Sequence, residues 1–286
     1  MTSMATKIET SQTGARAQKK IAVIGCGKMG TILLEAFLER KLITRDEAVA
    51  TVQHEEKDRA LSKDLGAIAL GTDNRVAVAN APVVLLCVKP QVLAQVLDEI
   101  APALAPDALV ISIAASTTVG FIQQKLGQDI AVVRAMPNTP AMVGAAMTAL
   151  CAGLAAKPAH LETARRLFEA VGRVVIVDEK HMDAITALSA SGPAFVFVIL
   201  ESLAEAGVKV GLPREMATTL AAQTLFGSAK LALETGHHPA LLKDAVTTPA
   251  GCTIEGLMEL EKGGLRVTLM NAVITTTKRA RELMTV

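Results

Sequence analysis

Residues 21–30 have the sequence Ile21-Ala22-Val23-Ile24-Gly25-Cys26-Gly27-Lys28-Met29-Gly30. The four aliphatic residues predict a short buried strand, and residues 28–40 then carry apolar side chains at helical spacing. Between strand and helix lies a GxGxxG pattern, whose first two glycines let a pyrophosphate approach the backbone and whose third lets helix and strand pack. The helix N-terminus faces the phosphates. This stretch therefore predicts a βαβ unit that binds a dinucleotide.

Aliphatic runs without alternation recur through the first part of the chain, as is typical of parallel strands covered by helices on both faces. Further strands are predicted at residues 48–52, 67–70, 83–88, 109–113, 130–134 and 174–177. A charged helix over 55–65 and a short helix over 74–80, capped by Thr72, are predicted between them. The alternation predicts an α/β fold, a doubly wound parallel sheet of the Rossmann type.

After about residue 180 the sequence predicts only helices. They are expected at residues 181–206, 213–235, 239–246, 253–261 and 265–284. The predicted organisation is therefore a flexible tail over 1–19, a dinucleotide-binding Rossmann domain over 20–179, and a helical dimerisation and substrate domain over 180–286.

Composition excludes several classes of function. Lys and Arg total 29 against 28 Asp and Glu, and aromatic residues make up 2% of the chain, so neither a basic surface nor stacking platforms for nucleic acid are expected. The longest apolar stretch, residues 192–200, is about half of the roughly 20 residues that span a membrane. The four cysteines lack metal-ligand spacing and suit reduced thiols. We expect a cytoplasmic protein without a metal site.

The helix from Ile185 to Leu203 is apolar on nearly all sides. A surface helix with one apolar stripe does not have this pattern. A second subunit is the simplest cover in so small a domain, and a central position in a monomeric helical bundle is the alternative.

The end of the second predicted strand bears on the choice of cofactor. An NAD site usually has an acidic residue there, whereas this stretch is Val52-Gln53-His54. His54, Lys57 and Arg59 offer positive charge for a 2′-phosphate, although Glu55 and Glu56 argue for NADH. The residues favour NADPH and leave NADH possible.

Three other stretches offer polar groups where ligands bind in this fold. Lys89 ends a predicted strand, and Asn138 follows another in a loop stiffened by two prolines, where it is equally well a turn former. Residues 247–256 join two predicted helices and contain Thr248, Gly251, Cys252 and Thr253. This arrangement is either a plain helix cap or a carboxylate site formed by backbone amides and hydroxyls.

These stretches together resemble the pyrroline-5-carboxylate reductase family, from Lys20 to the C-terminus. The resemblance is carried by Val-Lys-Pro at 88–90, Met-Pro-Asn-Thr-Pro at 136–140, Ser-Gly-Pro-Ala-Phe at 191–195, Gly-Leu-Pro at 211–213 and, most specifically, residues 239–261. It departs from the family at Ala245, where some members have Asn, and at Thr248-Pro249-Ala250-Gly251, where many have Ser-Pro-Gly-Gly. The second strand end also lacks the Ser or Arg common in members that prefer the phosphorylated cofactor.

The resemblance implies an oxidoreductase acting on the CH–NH group, which reduces 1-pyrroline-5-carboxylate to L-proline with NAD(P)H in the last step of proline biosynthesis. It implies a homodimer or a ring of dimers. With His54 from the residue analysis, the expected cofactor-binding residues are Gly25, Cys26, Gly27, Lys28, Met29, Gly30, His54, Asn74, Cys87, Val88, Lys89, Pro90, Ile113, Ala114 and Ala115. The substrate is expected at Thr248, Gly251, Cys252 and Thr253, with Thr253 as the catalytic residue nearest the imine nitrogen.

Two other functions compete with this interpretation. A β-hydroxyacid dehydrogenase has the same architecture but needs a catalytic Lys followed by Asn early on the first long helix, and residues 189–203 contain neither. A non-catalytic NAD(P)H sensor needs no carboxylate-binding loop in its helical domain, and this chain has the residues for one.

Overall fold

The computed structural model describes residues 19–53 and 68–283, so the helix predicted over 55–65 and the side chain of His54 lie outside the described residues. Eight strands form one sheet in the order β3-β2-β1-β4-β5-β6-β7-β8. The strands are β1 Ile21–Ile24, β2 Ala48–Thr51, β3 Ala69–Gly71, β4 Val83–Leu86, β5 Leu109–Ser112, β6 Ala131–Met136, β7 Ala146–Ala152 and β8 Gly172–Ile176.

Strand β1 lies at the point where the chain reverses its direction of travel across the sheet. It pairs in parallel with β2 on one side, Ile21 opposite Ala48, and with β4 on the other, Ile21 opposite Val83. In sheets of this kind ligands bind outside the carboxyl ends of the strands at that switch point. The predicted Rossmann architecture is confirmed, and the edge at which such sheets bind ligands lies at the carboxyl ends of β1 and β4.

The last two strands correct the prediction of a wholly parallel sheet. Strand β7, which the sequence analysis missed, runs antiparallel to β6, and β8 is parallel to β7. The connection from β6 to β7, residues 137–145, holds only a 3₁₀ turn at Thr139–Val143. It is too short for the crossover that a parallel pair requires.

Helices cover both faces of the sheet, which explains the continuous apolar runs in its strands. They are α1 Lys28–Glu39, α2 Asn74–Val78, α3 Pro90–Ile100, α4 Val119–Leu126 and α5 Pro158–Phe168. Buried Leu33 and Phe37 belong to the apolar layer on one face, and Leu93 and Leu97 to the layer on the other.

The residue that caps α2 is Asp73, which corrects the prediction of Thr72. A carboxylate oxygen of Asp73 accepts hydrogen bonds from the amides of Arg75 at 2.9 Å and Val76 at 3.1 Å. Asp is at least as good a helix cap as Thr, so the neighbouring residue takes the position.

After Ile176 the described residues form only helices and turns. The helices are α6 Met182–Ile185, α7 Gly192–Lys209, α8 Arg214–Thr235, α9 Pro239–Ala245, α10 Cys252–Lys262 and α11 Leu265–Leu283. The single helix predicted over 181–206 is broken by a π-helical segment, Thr186–Ala190. Pro193 lies in the first turn of α7, a position that tolerates proline because its missing backbone donor has no partner within the new helix.

Helices α7 and α8 pack against each other, yet most of their apolar side chains remain exposed in the single chain. The exposed fraction of the side chain is 63% at Phe197 and 62% at Val198. The structure of the single chain therefore does not support the alternative of a central helix in a monomeric bundle. The helical stretch Glu179–Lys209 is also long and apolar enough to cross a membrane by length and composition alone, which the sequence analysis did not anticipate.

Candidate active site

The glycine loop between β1 and α1 is held in a conformation that other residues would disturb. Gly25 has φ +79°, and a Cβ at this position would lie 2.4 Å from Cγ1 of Val88. A Cβ on Gly30 would lie 3.2 Å from Cβ of Cys87. Thr51, at the end of β2, anchors the loop because its hydroxyl accepts from the Gly25 amide at 3.1 Å and its carbonyl from the Cys26 amide at 2.6 Å. The loop can therefore bring backbone close to a pyrophosphate at the start of α1.

Two further predicted segments lie at the same edge of the sheet. The Cys87 amide donates to the carbonyl of Ile24 at 2.8 Å, and the Ile113 amide donates to the carbonyl of Leu86 at 3.1 Å. Residues 87–90 and 113–115 thus follow directly from β4 and β5 beside the glycine loop. Burial raises the pKa of the Cys87 thiol far above its ordinary value, so this group is a neutral wall of the crevice.

The polar candidate residues at this edge differ in exposure and in whether their side chains are hydrogen-bonded within the chain. Lys89 is exposed and precedes the first turn of α3. Asn74 begins α2, and its amide Nδ2 donates to Oε2 of Glu99 at 2.9 Å, so it is partnered within the chain. Along β2 and the two residues after it, residues 48–53, the chain carries no carboxylate, and Thr51 holds the glycine loop.

Asn138 connects the sheet to the helical part of the chain. Its Oδ1 accepts from the Met147 amide at 3.0 Å, and its Nδ2 donates to the carbonyl of Ser189 at 3.1 Å. The first bond fits the turn role that the sequence allowed, and the second adds a contact that the sequence did not predict. A groove of about 420 Å³ opens beside it, lined by Asn138, Pro140, Leu188, Ser189, Gly192, Pro193, Val196 and Phe197.

The loop at residues 248–253 is a tight turn followed by a helix start. The Gly251 amide donates to the carbonyl of Thr248 at 3.0 Å, and Ala250 lies between them at φ +55°. Helix α10 begins at Cys252 with Gly251 as its N-cap. A Cβ on Gly251 would lie 2.4 Å from Oγ1 of Thr248, so a larger residue would force the Thr248 side chain to move.

This geometry bears on the predicted carboxylate site and on its alternative, a plain helix cap. The Gly251 amide is used by the turn, so the amides left at the helix start are those of Cys252 and Thr253. The cap position belongs to Gly251, so the side chain of Thr253 is not the helix cap. Thr253 is half-buried and Thr248 exposed. The loop keeps two amides and two hydroxyls for an anion.

The helix that follows the loop at residues 248–253 packs within the helical part of the chain. Among the described residues, α10 packs on α11, and neither α9 nor α10 packs extensively on the sheet or its covering helices. The described part of the chain also contains no group of three His, Cys, Asp or Glu side chains that could hold a metal ion.

Comparison with known proteins decides the family. Residues 179–283 match the family model described as pyrroline-5-carboxylate reductase dimerisation, and residues 20–116 match the model described as NADP oxidoreductase coenzyme F420-dependent. A pyrroline-5-carboxylate reductase from Methanosarcina acetivorans is 43% identical over 265 residues, which cover 93% of this chain and 98% of the relative. The chain belongs to the pyrroline-5-carboxylate reductase family.

Solved structures of the pyrroline-5-carboxylate reductase family have the same fold. The enzyme from Coxiella burnetii superposes with a TM-score of 0.85 at 34% identity, covering 93% of this chain and 98% of that one. A pyrroline carboxylate reductase from Plasmodium falciparum, solved with NADP bound, gives a TM-score of 0.84 at 28% identity, covering 95% of this chain and 100% of that one.

Proposed function

We propose that this chain reduces 1-pyrroline-5-carboxylate to L-proline, with NADPH as the preferred hydride donor, in the last step of proline biosynthesis. The observation that carries the proposal is the pairing of two sites in one chain. A glycine loop stands at the switch point of the sheet, and an amide-rich helix start stands in the helical part. We place the boundary between the two domains at residues 179–180. A non-catalytic sensor has no use for the second site.

NADPH is expected along the carboxyl edge of the sheet. Residues 25–30 would hold its pyrophosphate, and residues 87–90 and 113–115 would line the rest of the crevice. The absence of a carboxylate over residues 48–53 favours the 2′-phosphate, because an acidic side chain there would repel it. The NADP named in the Plasmodium falciparum structure supports the same choice. When bound there, NADPH supplies the hydride for the carbon of the C=N bond.

The substrate loop would hold the pyrroline ring by its carboxylate. The amides of Cys252 and Thr253 and the hydroxyl of Thr248 are the groups available to that anion. The hydroxyl of Thr253 would then face the ring nitrogen. A cyclic imine is already partly protonated near neutral pH, and its iminium form accepts hydride readily. The site therefore needs orientation and one hydrogen bond rather than a strong general acid.

We propose that a second copy of the chain covers α7 and forms a homodimer, from which a ring of dimers can assemble. The exposed apolar side chains of α7 and α8 support this, as does the match of residues 179–283 to a model named for dimerisation. A dimer also offers a way to bring the substrate loop to a dinucleotide edge, because among the described residues α9 and α10 do not pack extensively on the sheet of their own chain. We place the enzyme in the cytoplasm, with α7 buried between subunits rather than in a membrane.

The proposed function is tested by supplying 1-pyrroline-5-carboxylate with NADPH or NADH and measuring both nicotinamide oxidation and L-proline. We expect equal amounts of oxidised cofactor and proline, and a higher kcat/KM with NADPH than with NADH. Binding of NADPH without turnover would favour the sensor, and a preference for NADH would overturn the cofactor assignment.

A further inference from the structure

Strand β6 and the loop after it contact the two ends of the segment that joins the two parts of the chain. This hinge segment, residues 179–190, comprises a 3₁₀ turn, α6 and the π-helical segment. At its start, Nη1 of Arg134 lies 3.2 Å from Oε1 of Glu179. Near its end, Nδ2 of Asn138 donates to the carbonyl of Ser189 at 3.1 Å. Arg134 belongs to β6, and Asn138 lies in the loop two residues after the end of β6, so both contacts come from this strand and the loop that follows it.

The contact at Glu179 joins three elements through one carboxylate oxygen. Besides accepting from Arg134, Oε1 of Glu179 accepts from the amide of Val119 at 2.7 Å. Val119 is the first residue of α4, where a negative charge is stabilised by the helix dipole. The sheet, α4 and the hinge segment therefore meet at this oxygen.

Burying Arg134 lowers the stability of the fold, so a purely structural role does not explain this residue. Its side chain is 1% exposed, and its Nε and Nη2 have no hydrogen-bond partner among the described residues. Burying a charged group with so few partners lowers stability, and apolar replacements of buried ion pairs are often neutral or stabilising. Fold stability therefore does not explain the ion pair between Arg134 and Glu179. The pair is explained if it serves to hold the hinge segment in one position.

The end at Ser189 has a second unusual feature. The π-helical segment is closed by the Ser191 amide, which donates to the carbonyl of Thr186 at 2.9 Å. Segments of this kind are uncommon and are found often at functional sites. The hinge segment also packs on α11 and leads directly into α7. Its position therefore sets the position of the helical domain that carries the substrate loop.

We propose that Arg134 and Asn138 are positioning residues for hydride transfer. By holding both ends of the hinge segment, β6 and the loop after it fix this chain's dinucleotide edge relative to the helical domains of the proposed dimer, and so fix the distance between the ring carbon and the nicotinamide. This inference rests on the proposed function. Reacting atoms must approach to about 3–3.5 Å, and a displacement of about 1 Å can lower the rate about a hundredfold.

The test compares Arg134→Met and Asn138→Ala with a control, Lys125→Met. The control removes a cation on α4 whose ion pair, with Asp98 on α3, does not include the hinge segment. We expect kcat to fall about ten- to hundredfold in both test variants. The KM for NADPH should stay near the wild-type value because the glycine loop is anchored by Thr51, and the control should match wild type in both constants.

A conservative variant separates positioning from folding. Because only Nη1 of Arg134 is partnered, a lysine can supply the same single contact, so Arg134→Lys should recover most of the lost kcat. If Arg134→Met does not fold, the double variant Arg134→Met with Glu179→Leu removes both charges together and is expected to fold. It should still lose kcat. Folded variants with wild-type kcat, or a loss shared by the KM for NADPH, would overturn the proposal.

Hydrogen exchange gives a readout that does not depend on turnover. The contacts of Arg134 and Asn138 with the hinge segment together form a clamp. Loss of the clamp should speed amide exchange over residues 186–200 in Asn138→Ala and leave residues 21–30 protected as in wild type. An inactive wild-type protein would contradict the proposed function and leave this exchange result to decide the clamp. Unchanged exchange over residues 186–200 would count against the clamp whatever the activity.

Discussion

We expect Val198→Asp to convert the proposed dimer into monomers. Val198 is 62% exposed in the single chain, and full burial of a valine stabilises by about 1.5 kcal/mol, so a partner that covers it contributes about 1 kcal/mol. In a symmetric dimer this loss occurs in both chains, about 2 kcal/mol in all. A carboxylate buried without a partner adds several kcal/mol per chain. The sum is at least about 6 kcal/mol, which raises the dissociation constant by about 10⁴-fold.

Val76→Asp is the matched control, because Val76 lies on α2 of the dinucleotide-binding part and is 64% exposed. Sedimentation at micromolar protein should show wild type and Val76→Asp as oligomers and Val198→Asp as a monomer that has also lost activity. A Val198→Asp protein that keeps the wild-type oligomer would refute the assignment of α7 to the subunit interface. A wild-type monomer would refute the dimer itself.

Three other substitutions or modifications test the substrate loop. Thr253→Val should lower kcat about ten- to hundredfold, equivalent to about 1.5–3 kcal/mol, because a hydrogen bond to the substrate is lost. The melting temperature should change little because the helix cap is Gly251. A fall in melting temperature without loss of turnover would contradict this role. Ala250→Gly should raise the urea midpoint of unfolding by the equivalent of about 0.5–1 kcal/mol. The left-handed conformation of Ala250 strains an L residue by about 1–2 kcal/mol, and the larger conformational entropy that glycine loses on folding offsets part of the relief. An unchanged midpoint at equal protein concentration would show that the turn relaxes. Iodoacetamide should modify the exposed Cys252 first, and bound L-proline should slow that reaction. Burial raises the pKa of Cys151 to about 12 and keeps that thiol protonated and unreactive. Modification of Cys252 that L-proline does not slow would place the ligand elsewhere.

Sequence patterns predicted the parts of the fold that depend on local rules. The strand Ile21–Ile24, the glycine loop and α1 follow from burial, close backbone approach and helical spacing within about twenty residues. Strand β7 was missed because Ala146–Ala152 has one β-branched residue, Thr148, and its direction depends on the short connection before it. The break in the helix over 181–206 precedes Pro193, and the apolar composition of the stretch does not indicate it.

The candidate site was predictable where backbone supplies the chemistry and not where distant side chains meet. The loop at Thr248–Thr253 is local, although its turn hydrogen bond removes the Gly251 amide from the set expected for the substrate. The contacts from Arg134 to Glu179 and from Asn138 to Ser189 join residues 45 and 51 positions apart. Periodicity and propensity carry no information about such pairs. The only signal in the sequence was Arg134, a basic residue within an aliphatic strand, and this signal does not indicate which acidic residue pairs with it.

Transfer of a labelled hydride tests the central claim most directly. The enzyme is supplied with 1-pyrroline-5-carboxylate and NADPH that carries deuterium on the nicotinamide carbon that donates hydride, and the product is analysed by mass spectrometry. If the chain catalyses direct transfer from the dinucleotide edge to the imine carbon, one of the two opposite deuterated forms of the cofactor yields L-proline with a single deuterium on the former imine carbon. Proline without label from both forms, or cofactor that is oxidised without forming proline, would contradict the account.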